Sequence, residues 1–568
     1  MRMPKTASGP AGAAPAPPDD GGSGEPAGAR PGPNGRLWRR TAARGGSLAL
    51  PALRRHWLIA LLVLAGLVLR VLSLIAYRPA LLYIDTLKYL YNAWPGTDPL
   101  GYKGVLQVIL AAGNLETVAA VQHLVGLAMG VAIYAVLVRR GVPRWLAALG
   151  AAPALLDAYE IQIEQQIMPD VWFEALLVAG LVVLLWRPRL SVGTIVAGGI
   201  ALGLSSTVWQ GGEFLILPTA VYVLIAVGGG WRRVIGSTAL VCAAFALPIL
   251  SYMTVSYALT GHFWLSRSGT SSLYGRVAEA ADCGTLKLPP DERPLCPTAK
   301  EKALGPDGLE HDASSPLNSY VAPPGTSEPD LVSGFTKAVL TQQPMRVLSA
   351  YTADAARLFA VHRVTSPGDT PISRWQFQTT YPTYQNYIRV NSQNVIVVGL
   401  KLQVTPNAGY VYQQLDPSMG GKATVVKPLA GFLRAYQLDG GYTPGPVYLL
   451  ATIAGLFGTL TLIRRRGRRD TQGASPGRPG HRELAFACCL FWISVVVLLL
   501  ASDIPEFSWR YQLPAIVTLP PAGALGIAIL LAWLRSRRAR PAAAIPPGPA
   551  TAPTIPEQGA PDQATPAR

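Results

Sequence analysis

Apolar runs close to twenty residues constrain this chain more than any other feature, because a run of that length crosses the hydrocarbon core of a bilayer as one helix. Ten such runs can be placed, at 56–77, 117–138, 145–160, 169–186, 191–207, 213–228, 234–257, 445–463, 484–502 and 514–534. The third, fifth and sixth are short. The expected fold class is therefore an all-α polytopic membrane protein of about ten transmembrane helices. Composition agrees. The chain is 50% hydrophobic and only 14% charged, with a mean hydropathy of +0.28, whereas a soluble domain carries about 25% charged residues.

The formal net charge of +17 raises nucleic acid as a partner, but the positions of the charges argue against it. Lys and Arg gather in short clusters between apolar runs. Loops 139–144, 187–190, 229–233, 464–482 and 535–540 hold 3, 2, 2, 7 and 4 of them, whereas 159–169 and 207–212 hold none and 503–513 holds only Arg510. Positive charge marks cytoplasmic loops. Both termini are thus expected in the cytoplasm, with 78–116, 159–169, 207–212, 258–444 and 503–513 outside. Residues 1–54 and 535–568 are rich in Pro, Gly and Ala and read as disordered cytosolic tails. The first fifty residues have no apolar core of a signal peptide. Richness in Ala, Gly, Pro and Arg is the composition of a high-GC bacterium, which makes its cell membrane the expected location.

This divides the chain into helices one to seven (55–257), an extracytoplasmic segment of α/β or irregular structure (258–444), and helices eight to ten (445–534). The outer segment holds Cys283 and Cys296, and two cysteines in an oxidising compartment are expected to form a disulfide. Cys242, Cys488 and Cys489 fall in apolar runs and read as packing. Stretch 334–362 has helical periodicity broken at Pro344 and suits a helix lying along the membrane surface.

Carboxylates at the outer ends of the apolar runs carry the chemistry. Asp85 follows the first run and shares a helical face with Lys88 and Tyr89; a plain helix cap would use the same residue. The second outer loop places Asp157, Glu160 and Glu164 at helical spacing, then Asp170 and Glu174 four apart, with no Lys or Arg in the loop to pair them. An acid after Pro169 suits a helix N-terminus, but that explains neither Glu174 nor the acids before it. Ionisable groups at a membrane boundary usually line a cavity or site, so these acids are expected to face a pocket shared with Asp85. Arg510, just before the last run, suits a phosphate at the outer leaflet; a Trp509–Tyr511 interfacial anchor is the structural alternative.

An Asp after the first run, Met168-Pro169-Asp170 opening a run after the second outer loop, and Arg510-Tyr511-Gln512-Leu513-Pro514 before the last run together resemble the GT-C fold glycosyltransferases. The resemblance is to the group of protein O-mannosyltransferases and aminoarabinose transferases, over roughly 55–257 and 445–534. Many of that group carry paired acids in the first loop; here Thr86 follows Asp85. The resemblance implies transfer of a sugar from a polyprenyl-phosphate carrier to a glycan, lipid or protein acceptor outside the cytoplasmic membrane, usually with inversion. It implies Asp85 as general base, with Asp170 and Glu164 as further catalytic groups that orient substrate or hold a metal. Arg510 would meet the phosphate, with Tyr511, Glu160, Glu174 and Lys88 in the substrate site and an apolar groove for the lipid. A divalent metal assists some members and not others; Asp85 and Asp170 offer oxygen ligands for Mg²⁺ or Mn²⁺, and no His or Cys cluster points to zinc. The competing readings are a transporter or flippase of lipid-linked sugars, a polysaccharide polymerase or ligase, and a scaffold.

Overall fold

Each of the ten apolar runs forms a helix. In the computed structural model they are α1 (Trp57–Ala76), α4 (Leu115–Arg139), α5 (Arg144–Leu156), α7 (Asp170–Trp186), α8 (Val192–Val208), α9 (Ile216–Ala226), α10 (Trp231–Thr260), α18 (Gly445–Arg464), α19 (His481–Ser502) and α20 (Pro514–Arg538). Residues 54–83, 85–91, 99–266, 269–365, 368–381, 387–389, 403–404, 410–412, 420–464, 481–502 and 507–538 are described. Among them, α1, α4, α10, α18, α19 and α20 are the six helices long and apolar enough to cross a membrane. The other four have 13, 17, 17 and 11 residues. Helices α18, α19 and α20 pack on one another, α20 also packs on α5, and α8 packs on both α7 and α10. Close packing of α18 on α20 depends on small residues: a Cβ at Gly523 would stand 2.8 Å from the Cα of Ala451, and one at Gly526 would strike the carbonyl of Ala454. Such small-residue contacts are how apolar helices associate where no hydrophobic force drives them.

Before α4, the first connection folds into β1 (Tyr77–Arg78), α2 (Thr86–Tyr91) and α3 (Gly101–Leu110), and the connection after α5 holds the buried helix α6 (Ala158–Gln165). The described part of the long segment after α10 is mainly helical. It contains α11 (Gly269–Ala280), α12 (Ala299–Lys302), α13 (Gly305–His311), α14 (Pro316–Ser319), α15 (Glu328–Gln342), α16 (Pro344–Arg357) and α17 (Lys427–Leu438). Helix α15 ends and α16 starts at Pro344, where proline lacks the N–H that would continue the helix. Tyr274, Val277, Leu295, Leu309, Phe335 and Val339 form a core for this segment, separate from that of the long helices. Cys283 and Cys296 are joined by a disulfide with Cα atoms 6.0 Å apart. The strands are short: β2 (Tyr387–Arg389), β3 (Gln403–Val404) and β4 (Tyr410–Tyr412) form one sheet in the order β2-β4-β3, and β5 (Thr424–Val425) pairs antiparallel with β1. That pairing ties the end of α1 to the end of the long segment.

Candidate functional site

The connection after α1 runs alongside the one before α7. The Leu81 N–H donates to the Gln165 carbonyl at 2.9 Å, and the Ile167 N–H donates to the Leu81 carbonyl at 3.0 Å. Thr86 adds a second tie: its hydroxyl accepts from the Tyr83 N–H at 2.8 Å and donates to the Ile167 carbonyl at 3.0 Å. Thr86 is fully buried. Thus the residue standing where the resembled group often has a second acid fixes the position of Asp85 beside the start of α7. Asp170 is the first residue of that helix, where the helix dipole favours a carboxylate.

Arg510 completes the arrangement. The turn before α20 places it 5% exposed. Its Nε donates to Asp170 Oδ1 at 2.7 Å and its Nη1 to Asp85 Oδ2 at 3.3 Å. One guanidinium therefore bridges carboxylates from two connections. Burial opposes its charge, but Asp170, Tyr511 and Asp85 outweigh that and hold it well above its ordinary value. Trp509 is 3% exposed and donates its indole N–H to the Val364 carbonyl. Tyr511 lies against the Arg510 guanidinium at 5.4 Å and stacks near Trp209. Lys88 lies on α2, and its side chain falls outside the described residues.

The other predicted acids are elsewhere. Glu164 is fully buried and accepts from Arg70 Nε at 2.7 Å and Nη2 at 2.6 Å, with His123 Nδ1 at 2.7 Å. Arg70 also donates to the carbonyls of Ala154, Leu155 and Gly66. Both partners are spent on holding α1, α4 and α5 to the connection before α7. The expectation that Glu164 joins Asp85 in an open pocket is corrected here: its partner comes from the middle of α1, not from its own loop. Asp157 caps α6, accepting from the Tyr159 N–H at 2.9 Å, and accepts from the Thr443 N–H at 2.7 Å. Glu160 and Glu174 are fully buried, and their two carboxyls lie within hydrogen-bond reach of each other. Burial first, then Glu174 and Glu164, hold the Glu160 carboxyl well above its ordinary range.

Three residues absent from the sequence reading stand at the Asp85–Arg510 centre. Arg374 Nη1 donates to the Tyr83 hydroxyl at 3.1 Å. Trp375 packs on Tyr83 with centroids 4.8 Å apart and lies 5.6 Å from the Arg510 guanidinium. Burial and then the Asp85 carboxylate push the Tyr83 hydroxyl up to about 12, against the pull of Arg374 and Arg510. The long segment after α10, which the sequence resemblance does not cover, therefore supplies part of the site. Among the described residues no group of three or more His, Cys, Asp or Glu is placed to hold a metal ion. Asp85 and Asp170 do not fit that role either, since a guanidinium already lies between them.

An apolar groove of about 690 Å³ opens between α5 and α17. Its lining includes Leu149, Pro153, Leu156, Phe432, Tyr436 and Tyr442, and none of Asp85, Asp170 and Arg510.

No protein-family model and no curated protein matches the chain. Among solved structures it is similar to the S. cerevisiae protein O-mannosyltransferase complex bound to its sugar donor, at 18% identity, a TM-score of 0.31, and coverage of 39% of this chain and 36% of that one. It is also similar to the Archaeoglobus fulgidus oligosaccharyltransferase. In complex with an inhibitory peptide and a dolichol-phosphate that enzyme gives 12% identity, a TM-score of 0.38, and coverage of 86% of this chain and 52% of that one. Its apo form gives 12% identity, a TM-score of 0.39, and coverage of 85% and 52%. The chain thus spans about half the length of the oligosaccharyltransferase and about a third of the mannosyltransferase chain.

Proposed function

We propose that the chain is a membrane glycosyltransferase that moves a sugar from a polyprenyl-phosphate carrier to an acceptor hydroxyl, on the outer face of a bacterial cytoplasmic membrane. The observation that carries this reading is the Arg510 bridge between Asp85 and Asp170 at the ends of apolar helices. A transfer of this kind needs a base for the acceptor proton and a cation for the departing phosphate. The shorter contact anchors Arg510 on Asp170. Asp85 holds the longer one and its side chain is the more exposed of the two, at 29% against 12%. Asp85 is therefore the base. It takes the proton as the acceptor oxygen bonds to the anomeric carbon; the phosphate oxygen leaves with its bonding pair, and the carbon inverts. Arg510 holds both carboxylates in place and lends its charge to the leaving phosphate. Tyr511, Arg374 and Trp375 frame the sugar, and acceptor choice lies with the outer segment. Ten crossings with both termini in the cytoplasm place the site outside.

The test is transfer in membranes supplied with labelled polyprenyl-phosphate sugars. The wild-type chain should release carrier phosphate and glycosylate an acceptor. Asp85→Asn should insert normally and lose roughly 10²- to 10⁴-fold in rate, the usual worth of a general base, while Glu116→Gln on the exposed start of α4 should be near neutral. A proton-coupled flippase is the second reading, favoured by the buried pair of Glu160 and Glu174 carboxyls. Labelled carrier crossing the bilayer with its sugar still attached, and no transfer with any donor, would decide for it.

A further inference from the structure

The turn that carries Arg510 rests on a short stretch that begins at the end of α16. Arg357, the last residue of α16, places its guanidinium 3.7 Å from the Phe507 ring centroid. Arg363 lies 5.3 Å from the Trp509 ring, and also 4.1 Å from Tyr159 and 5.3 Å from Tyr442. Beside it, the Val364 carbonyl accepts the Trp509 indole N–H at 3.0 Å. Phe507 and Trp509 meet edge to face at 5.4 Å, and both are buried. Trp509 is bonded directly to Arg510, so whatever fixes this pair of rings also fixes where the Arg510 side chain starts.

The two cations are held in different ways. Arg357 pairs with both carboxylate oxygens of Asp369 and stands 3.6 Å from Asp354, which pairs in turn with Arg276 of α11 at 2.7 Å. The Phe507 end of the turn is thereby tied to α11, which gives Tyr274 and Val277 to the separate core of the long segment. Arg363 has no such pair. Its side chain is 8% exposed and stands 4.0 Å from Asp157, beyond hydrogen-bond length. The Asp157 oxygens already accept from the Tyr159 and Thr443 backbone N–H groups. Ring faces take the place of a counter-ion, and they hold a desolvated cation through their quadrupoles. Tyr159 belongs to α6, Tyr442 precedes α18 and Trp509 precedes α20, so one guanidinium gathers three connections. Further along the same segment Arg374 donates to the Tyr83 hydroxyl, close to Asp85 in the chain. The segment thus touches both halves of the Asp85–Arg510 pair.

We propose that Arg363 is a positioning residue for Arg510. It acts through the Trp509 ring, with Arg357 on Phe507 as a second fixing point, and holds the turn where one guanidinium reaches both Asp85 and Asp170. Arg363 itself touches neither donor nor acceptor. The long segment after α10 therefore helps to assemble the reacting centre, beyond any part in acceptor choice. The Arg510 contacts of 2.7 and 3.3 Å leave little room for drift. A shift of about 1 Å at such a centre costs on the order of a hundredfold in rate. The expected effect on rate rests on the transferase reading above, whereas the expected effect on Arg510 rests on geometry alone.

The full chain in nanodiscs is treated with phenylglyoxal, which modifies accessible guanidiniums. The rate at Arg510 is mapped by mass spectrometry, with Arg70 as internal control. In wild type both should react slowly, since both are buried. Arg363→Met keeps the bulk of the side chain and removes its charge. It should raise the rate at Arg510 by on the order of tenfold, the worth of one desolvated cation–π contact, and leave Arg70 protected. Arg363→Lys returns a cation to the rings and should bring Arg510 back toward the wild-type rate. Full protection of Arg510 in Arg363→Met overturns the proposal. Equal gains at Arg510 and Arg70 also overturn it, because they show general loosening, and so does an Arg363→Lys chain that reacts like Arg363→Met. If Arg363→Met fails to fold, Phe507→Leu, which removes the Arg357 contact, should give the same selective exposure and decides in its place. On the transferase reading, turnover at saturating donor falls in Arg363→Met while the donor KM stays as in wild type, the pattern of lost reacting geometry. A variant with Arg510 exposed and turnover intact, or a wild type that transfers nothing with any donor, rejects that reading's use of Arg510 and leaves the positioning of Arg510 by Arg363 upheld.

Discussion

At the scale of single residues, the two buried arginines Arg70 and Arg510 have opposite uses. Arg70 is saturated: every part of its guanidinium meets an acceptor, and Glu164 receives two of its donors. Arg510 bridges two acids through different nitrogens, at 2.7 and 3.3 Å, which a single ammonium does not reproduce. Arg510→Lys should therefore keep the fold but cut turnover by on the order of tenfold to a hundredfold, read as turnover at saturating donor in membranes with equal protein. Turnover equal to wild type would mean the bridge is not used in catalysis. Glu160 gives a pH prediction. Its carboxyl is held well above its ordinary range, first by burial, so the folded chain keeps a proton that the unfolded chain releases. The associated stability is fully present below the ordinary glutamate value and is lost as pH rises through the folded value. Melting temperature in detergent should fall as pH is raised from mildly acidic to mildly alkaline, and Glu160→Gln should flatten that slope. An identical slope in the variant would show that Glu160 is ionised throughout. The sequence showed the acids but not their partners. Glu164 looked unpaired because its cation lies 94 positions away in α1. An Arg in mid-helix and a loop of acids without a cation were complementary anomalies, and pairing them was the available signal.

At the scale of elements, apolar length alone located all ten long helices to within a few residues of their observed ends, and the proline break between α15 and α16 was equally legible. What periodicity could not show is the pairing of two irregular connections, because hydrogen bonds such as Leu81 to Gln165 and Thr86 to Ile167 join backbone groups that carry no side-chain signature. That pairing is what brings Asp85 to Asp170. Thr86→Val keeps the shape and removes the hydroxyl, leaving the Tyr83 N–H and the Ile167 carbonyl without their partner. The loss should be about 1–3 kcal/mol of stability. Transfer should fall because Asp85 drifts from Arg510. Thr86→Ser restores the hydroxyl and should recover most of the activity. Equal activity in Thr86→Val would show that the connection is positioned by its apolar neighbours alone.

At the scale of the whole molecule, charge asymmetry and helix length give different pictures of α5, α7, α8 and α9. Ten crossings follow from the Lys and Arg distribution, whereas only six described helices are long and apolar enough to cross by themselves. The two pictures share more than they dispute. They agree on the sides of 139–144, 187–190 and 229–233, because an even number of the shorter helices lies between each of these loops. Reporter fusions after Ser266 and Ala474 differ by one long helix, α18, and should report opposite sides under either. The connections after α5 and after α8 are where they part. If α5, α7, α8 and α9 all cross, then Gln210 lies opposite Arg189. Single cysteines at Arg189 and Gln210, in a chain with Ser at Cys242, Cys488 and Cys489, can be probed in intact cells with a thiol reagent that does not enter them. Gln210→Cys should be labelled and Arg189→Cys only after the membrane is opened. The same result for both would show that α8, and with it α9, does not cross. Asp170 lies at the end of that connection and Arg510 before the last helix, and their carboxylate–guanidinium contact at 2.7 Å requires both on one face. Helices α5 and α7 must therefore cross for the Asp85–Asp170–Arg510 centre to exist in the form described, and the labelling at Arg189 and Gln210 settles the remaining pair, α8 and α9.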